Sequence, residues 1–468
     1  MIWRFLERCG AQGVTFLVSV LLARLLDPSV YGIVALVTVF TAILQVFVDS
    51  GMGNALIQKK DADDLDFSSV FYFNLLACIL LYIFMFLVAP LIASFYNMPD
   101  LTPVIRVSSL TLIISGVKNI QQAYVSSHLL FKKFFFATLG GTIGAAVIGI
   151  WMAWRGYGVW ALVAQHLFNA TLDTIILWVT VKWRPKKVFS LKRLKGLFSY
   201  GWKLLVSALL ETGYSNVRSL IIGKLYTSED LAFYNRGKQF PNLIVSNINA
   251  SIDSVLLPTM SKEQDNKSRV RDMTRRAIKI STFIMMPLMM GLAVCAEPLI
   301  RIVLTDKWLP AAFFLRVFCF TYAFYPIHTA NLNAIKAMGR SDMFLKLEVV
   351  KKVVSIAALV GTMFISVEAM ALALPVTSIL GQIINSWPNR KLLDYSYRAQ
   401  LLDMLPQIGM SLAMGGIVFT IQFLRLPDIA TLLIQAPLGA FIYIVASKLL
   451  HIDSYEYVKG LIKSYIKR

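Results

Sequence analysis

Apolar runs of roughly 20 residues recur along the whole chain with no soluble domain between them, and each is about as long as a helix needs to cross a bilayer core. With 57% hydrophobic and only 15% charged residues, the chain cannot dress a water-facing surface in Lys, Glu, Asp and Arg. The expected fold is all-α and integral to the membrane, with about fourteen transmembrane helices.

A net charge of +20 would point to nucleic acid, but its placement decides against that class. Lys and Arg crowd into alternate loops: Lys59 with Lys60, Lys132 with Lys133, Lys182 to Lys195 (KWRPKKVFSLKRLK), Lys262 to Lys279 (KEQDNKSRVRDMTRRAIK), Lys336 with Arg340, Arg390 with Lys391 and Arg398, and the tail from Lys448 to Arg468. Intervening loops carry one or two basic residues, such as Arg155, or Arg301 with Lys307. By the positive-inside rule, the basic loops and both termini are expected in the cytoplasm. The two long basic loops read first as topology determinants and solvated faces, and second as docking sites for anionic lipid or a partner. Cys9, Cys78, Cys295 and Cys319 are scattered through apolar segments without metal-ligand spacing, as small hydrophobic residues would be. Charges at Arg4, Glu7 and Arg8 lead into a first span with no clear cleavage site, so that span is expected to be retained.

Segments about 200 residues apart are alike: LLARLLDPSVYGIVAL (21–36) aligns with IIGKLYTSEDLAFYNR (221–236), pairing Arg24 with Lys224. RVSSLTLIISG from Arg106 and RVFCFTYAFYP from Arg316 form a second pair. The implied unit is six spans, an even number, so both halves share orientation and substrate is expected between them. The N-terminal lobe (1–181) holds spans 9–26, 32–57, 68–94, 102–126, 134–154 and 157–181. A basic cytoplasmic linker (182–197) leads to the C-terminal lobe (198–393), with spans 198–224, 231–260, 277–304, 309–336, 345–366 and 368–388. An extra helix pair (402–424 and 429–450) and a basic tail complete residues 394–468.

Polar residues at helical spacing mark faces that avoid lipid. They are Thr38, Thr41, Gln45 and Asp49; Ser108, Thr111, Ser115, Lys118 and Gln122; Gln165, Asn169 and Asp173; Lys203, Ser207, Glu211, Tyr214 and Arg218; and Arg236, Gln239, Ser246, Asn249 and Asp253. The neutral members read as helix–helix glue. The cations are different, because a charge at mid-membrane costs about 2.5–3.5 kcal/mol and needs an anion or water to hold it. Lys118, Arg218, Arg236 and Lys238 are therefore candidate anion-binding residues, with snorkelling to the interface as the competing reading for Arg218, Arg236 and Lys238. Asp49, Asp173, Glu211 and Asp253 are candidates for a coupling ion or, equally, counter-ions; for Glu211, a counter-ion to Arg218 is preferred.

His128, His166 and His328 lack a metal or nucleophile pattern and read as packing residues, and no phosphate-binding loop occurs, so neither a cofactor nor ATP hydrolysis is expected. Pro241, Pro287, Pro326 and Pro375 interrupt later spans and are expected as bend points. Asp61, Asp63, Asp64 and Asp66 offer the D-x-D of metal-dependent sugar transferases, but in so short a loop they read as a solvated turn.

WRFLERCGAQGVTFLVSVLLARLLDPSVYGIVAL, DSGMGNALIQKKD, KLYTSEDLAFYNRGKQFP and SVLLPTMSK together resemble the polysaccharide-transporter branch of the multidrug/oligosaccharidyl-lipid/polysaccharide exporter superfamily, with O-antigen flippases of the Wzx type and colanic-acid and teichuronic-acid exporters the best likeness. The resemblance covers essentially the whole chain. It implies a non-enzymatic flippase of the bacterial inner membrane, with two six-helix lobes around a cavity whose cations hold the diphosphate of an undecaprenyl-diphosphate-linked glycan. Membrane lipid, a polysaccharide polymerase and assembly proteins are the implied partners. Arg236 and Lys238 sit in the matched YNRGKQ motif; Arg218 and Lys118 rest on the stripes alone, with Gln239 and Asn249 as neutral contacts. Members often begin several residues earlier, so the resemblance implies a shortened or alternative start at Met1. A cation-coupled multidrug antiporter of the same superfamily is the alternative, although it would favour acids and aromatics over basic stripes. An integral membrane polymerase or transferase would need a large outward loop, and these are short.

Overall fold

The computed structural model describes residues 2–49, 52–59, 61–128 and 130–466; Lys60, Met1 and Arg468 lie outside that set, as do Ser50 and Gly51 of the DSGMGNALIQKKD stretch and the side chains of Cys9, Lys132 and Lys133. Among the described residues there are helices and no strands. Packing divides the chain into two compact units, residues 1–232 and 233–468.

The first unit contains α1 (Ile2–Leu25), α2 (Pro28–Asp49), α3 (Met52–Gln58), α4 (Asp64–Tyr96), α5 (Leu101–Ser108), α6 (Leu110–Ser127), α7 (Phe131–Trp154), α8 (Val159–Thr180) and α9 (Leu191–Leu225). α10 (Ser228–Lys262) starts there and continues into the second unit. Then follow α11 (Lys267–Val294), α12 (Ala296–Val303), α13 (Ala311–Ala323), α14 (Tyr325–Ala337), α15 (Ser341–Thr362), α16 (Val367–Ser386), α17 (Asn389–Leu392), α18 (Tyr397–Phe419), α19 (Asp428–Leu449) and α20 (Asp453–Ile466).

Eleven of these segments are long and apolar enough to span a bilayer among the described residues, against the expected fourteen or so. Two of the other helices carry charge: α9 has Lys203, Glu211 and Arg218, and α15 has Lys346, Glu348, Lys351 and Lys352. Of α1, the described apolar part is Gln12–Leu25.

The repeat is visible in local structure. α1 ends at Leu25 and α2 begins at Pro28; α9 ends at Leu225 and α10 begins at Ser228. Pro28 suits a first helical position, where its missing N–H costs nothing. At the second junction Thr227 and Asp230 cap reciprocally: Asp230 N–H donates to Thr227 Oγ1 and Thr227 N–H to Asp230 Oδ2, each at 3.1 Å. The two turns meet, since a Cβ on Gly32 would lie 1.8 Å from the Ser228 carbonyl oxygen. In the second repeated pair, Arg106 donates to the Phe86 carbonyl on α4 and Arg316 to the Ala293 carbonyl on α11, so each arginine ties its helix to the long helix before it.

The prolines behave unequally. α10, α11 and α16 run through Pro241, Pro287 and Pro375, whereas Pro326 lies in the first turn of α14, just after the chain breaks at Phe324. The expected 309–336 span is thus two stacked helices. So is 102–126, broken at Ser109 without a proline.

Asp61, Asp63 and Asp64 are exposed, as expected of a solvated turn, but Asp66 is not, which corrects the sequence expectation at that residue. Asp63 caps α4 in a reciprocal box with Asp66, and the Asp66 side chain is fully buried, bound by Lys59 at 2.5 Å and Arg193 at 3.2 Å. The basic segment 182–193 is fastened to the same place. Trp183 is buried against Phe67 and Tyr124, and its Nε1 donates to Asp64 Oδ1 at 3.0 Å. Lys186 N–H and Ser190 N–H donate to Ser68 Oγ and Ser69 Oγ, both at 2.9 Å, while Lys186 Nζ lies 2.6 Å from Asp64. The backbone N–H of Asp66, aided by Arg193 and Lys59, holds the Asp63 carboxyl below the usual carboxylate range.

In the second unit α11 packs against α13, α14, α18, α19 and α20. Phe283 and Val294 of α11 meet Met410, Met414 and Val418 of α18 and Tyr443 of α19, and the Tyr443 hydroxyl donates to the Phe283 carbonyl at 3.0 Å. The terminal pair α18 and α19 is therefore part of this unit's core.

Candidate functional site

In the first unit, α2, α6 and α8 bring together three residues singled out from the sequence. Lys118 Nζ on α6 lies 3.0 Å from Asp173 Oδ2 on α8, with side-chain exposures of only 19% and 13%. Asp173 Oδ1 is buried and accepts no hydrogen bond among the described residues. Nearby, Asp49 Oδ1 at the end of α2 accepts from Gln45 Nε2 at 2.9 Å and Asn119 Nδ2 at 3.0 Å, and Asn119 also donates to the Val48 carbonyl. Lys118 thus stands as the cation of an intramembrane ion pair, with Asp173 as its counter-ion. Asn119, which ties α6 to α2, was not anticipated; it falls one position off the Ser115–Lys118–Gln122 stripe, on the flank of the same face.

Glu211 and Arg218 lie two turns apart on α9, the first exposed and the second half-buried. α9 packs on α2, α3 and α4.

In the second unit, Arg236 lies two turns inside α10 with only 7% of its surface exposed. Its guanidinium stands 5.3 Å from the centre of the Trp308 ring, and Nη1 donates to Gln239 Oε1 at 2.5 Å. Trp308 is fully buried and is itself met edge-on by Phe233 at 6.0 Å. A cation over an indole face is attracted by the ring quadrupole, most strongly where water is excluded. The neighbouring glycine of the YNRGKQ motif has a steric reason: a Cβ on Gly237 would come within 2.5 Å of Phe314 Cβ, so α10 and α13 could not approach so closely. Tyr234 fills the same contact, edge-on to Phe314 and Phe318. Lys238 is half-buried on this stretch. Trp308 was missed from sequence, where the only signal is a tryptophan in a short loop.

Not all of the α10 residues share one place. Asn249 is half-buried, with an Oδ1 that lacks a hydrogen-bond partner among the described residues, and Asp253 is exposed. At 1.5 Å of rise per residue, Asp253 lies about 25 Å along the helix from Arg236, so these two cannot hold one small group. Among the described residues no group of His, Cys, Asp and Glu is arranged to bind a metal. His328 rests against Asn385 at 3.0 Å and Ser378 at 3.5 Å.

Residues 21–313 match the family described as "Polysaccharide biosynthesis protein". The teichuronic acid biosynthesis protein TuaB of Bacillus subtilis is 24% identical over 82% of this chain and 80% of its own length. The lipopolysaccharide biosynthesis protein WzxC of Escherichia coli K12 is 22% identical over 88% of this chain and 86% of its own. In fold, the chain is similar to a lipid II flippase MurJ in an inward closed conformation, with a TM-score of 0.79 over 97% of this chain and 99% of that one, at 16% identity. An inward-facing multidrug resistance MATE transporter matches with a TM-score of 0.63 over 81% and 94%, at 14% identity. With helices throughout, charged stripes in apolar segments and a family match across more than half its length, the chain belongs to the polysaccharide biosynthesis protein family, within the polysaccharide-transporter branch of the multidrug/oligosaccharidyl-lipid/polysaccharide exporter superfamily.

Proposed function

We propose that this chain is a non-enzymatic flippase that moves an undecaprenyl-diphosphate-linked oligosaccharide from the cytoplasmic to the periplasmic leaflet of the bacterial inner membrane by alternating access. The observation that carries the reading is the near-complete overlap in fold with a lipid II flippase, joined to relatives whose names place them in teichuronic acid and lipopolysaccharide synthesis. Only the head group needs a hydrophilic path, because the lipid tail can stay in the bilayer. Arg236, oriented by Trp308 and Gln239, and Lys238, two positions further along α10, supply cations for the diphosphate; the neutral stripes supply hydrogen bonds for sugars. With an inside-negative potential, moving two negative charges outward gains about 4–5 kcal/mol per 100 mV. Both termini and the basic loops lie in the cytoplasm in this scheme.

Export in a flippase-deficient host complemented with variants tests the site. Arg236→Glu and Lys238→Glu should each abolish export while the protein remains in the membrane, and wild-type export by both would remove them from the site. Lys118 admits a sharper test. Lys118→Asp and Asp173→Lys should each fail alone, and the double swap should recover export if the pair is structural; failure of the swap with the protein intact would make Lys118 a substrate contact. In proteoliposomes, collapsing the potential at fixed pH should slow flipping; an unchanged rate would refute the electrical account.

A cation-coupled multidrug antiporter is the second reading, favoured by the MATE match and by the intramembrane carboxylates Asp49 and Asp173. It expects expression to raise drug tolerance in an efflux-deficient host, with no effect on surface glycan.

A further inference from the structure

A second charged site lies away from these stripes, on α11. Asp403 of α18 is 8% exposed and accepts two hydrogen bonds from Arg275, from Nε and Nη2, each at 2.7 Å. It also accepts one from the Tyr395 hydroxyl at 2.8 Å, and Lys279 Nζ lies 3.7 Å away. Lys279 reaches in addition to Asp453 at the start of α20, at 3.3 Å. Arg276, one residue on, is exposed and stacks 5.1 Å from the centre of the Tyr457 ring; among the described residues it makes no ion pair.

These groups surround a cavity of about 760 Å3 lined by Arg275, Arg276, Lys279, Asp453, Ser454 and Tyr457, with Asp272 at its edge. The carboxylates fix two of the cations in place, while the Tyr457 ring holds the third without neutralising it. Asp272 at the edge is answered by Arg271 at 3.4 Å, so the result is a preorganised basic pocket in which Arg276 is the cation without a carboxylate among the described residues. α20 is secured to the bundle rather than hanging from it, because Ile452, Tyr455 and Val458 pack against the α11, α18 and α19 core.

The level of the pocket identifies the source of its ligand. α11 is densely charged from Lys267 to Lys279 and carries no further charge from Ile280 to Val294. Its passage from charged to apolar residues falls at Lys279 and Ile280, and Ile280 also lines the cavity. In a membrane helix that passage marks the interface, the depth at which lipid phosphates lie. We propose that the cavity formed by α11 and α20 is a binding site for the phosphate headgroup of an anionic membrane lipid, with Arg276 as its principal contact and Lys279 and Arg275 held in support.

Native mass spectrometry of the purified full-length protein with phosphatidylglycerol or phosphatidylcholine tests this. Phosphatidylglycerol should be retained in preference. Arg276→Gln should weaken it about tenfold, as expected for one hydrogen bond to a charged group, and Arg276→Lys should recover part of the loss. Lys459→Gln, elsewhere on α20, should bind as the wild type does. A melting temperature near that of the wild type for Arg276→Gln assigns the loss to the site; if that variant melts early, Arg276→Lys decides, and its failure to recover any binding overturns the proposal. Wild-type retention by Arg276→Gln, or an equal loss in Lys459→Gln, would also overturn it. Displacement of the lipid by millimolar inorganic phosphate would assign the pocket to a soluble anion instead.

Discussion

Asp66 in the first unit and Asp403 in the second are each a buried carboxylate gripped by two cations, yet they sit in opposite settings. Asp66 has no exposed surface; it closes a helix-capping box and sits beneath a segment that is stitched down by backbone hydrogen bonds and the Trp183 ring. Asp403 is equally well bonded, but its cations line an open cavity, and the side chain of Arg275 is 53% exposed. The Asp66 cluster acts as a staple, because its carboxylate is committed at once to the α4 cap and to cations from two other segments. The Asp403 carboxylate instead aims cations that line a cavity, where they can meet an anion.

Three experiments bear on that contrast. The largest effect is expected from Asp66→Ala, which removes the anion from Lys59 and Arg193 and opens the α4 cap. It should cost about 2–3 kcal/mol, below the value for a fully buried pair because both cations reach solvent, and should show as a marked fall in melting temperature and yield. Asp403→Asn should cost less, about 1–2 kcal/mol, since Arg275 can rehydrate, and should leave phosphatidylglycerol binding intact or tighter. Equal destabilisation by the two variants would erase the distinction between staple and pocket. The smallest effect concerns pH. Because the Asp63 carboxyl is held below its ordinary value of 3.8, its contribution is complete above that pH and is lost as pH falls through the lower folded value. The melting-temperature gap between wild type and Asp63→Asn should therefore be constant above about pH 5 and shrink on further acidification; a gap that grows would reverse the sign.

The same contrast explains what could be read in advance. The α4 and linker segments, KKDADDLD and RPKKVFSLKR, carry complementary charge in loops expected on one side of the membrane, and that complementarity was the available signal for the staple. The burial of Asp66 within an otherwise exposed acidic run is not legible in the sequence, because Asp66 and Arg193 are brought together only by the packing of four intervening long helices. Lys118 and Asp173 were both visible as costly charges in apolar helices, but their pairing across α6 and α8 was not. Trp308 gave no periodic signal, since it sits on a short turn rather than a helix face.

The sequence by itself determined that this chain is a bundle of membrane helices, that short segments recur about 200 residues apart and that its helices carry cations needing an answering group. Long apolar runs admit few other structures, and the cost of burying charge makes each exception conspicuous. Tertiary structure decided which carboxylate answers which cation, which acidic residues are sealed and which basic ones line a cavity. Those choices depend on contacts of a few ångströms between residues far apart in the chain, and helical periodicity fixes the face a residue occupies without naming the helix it meets.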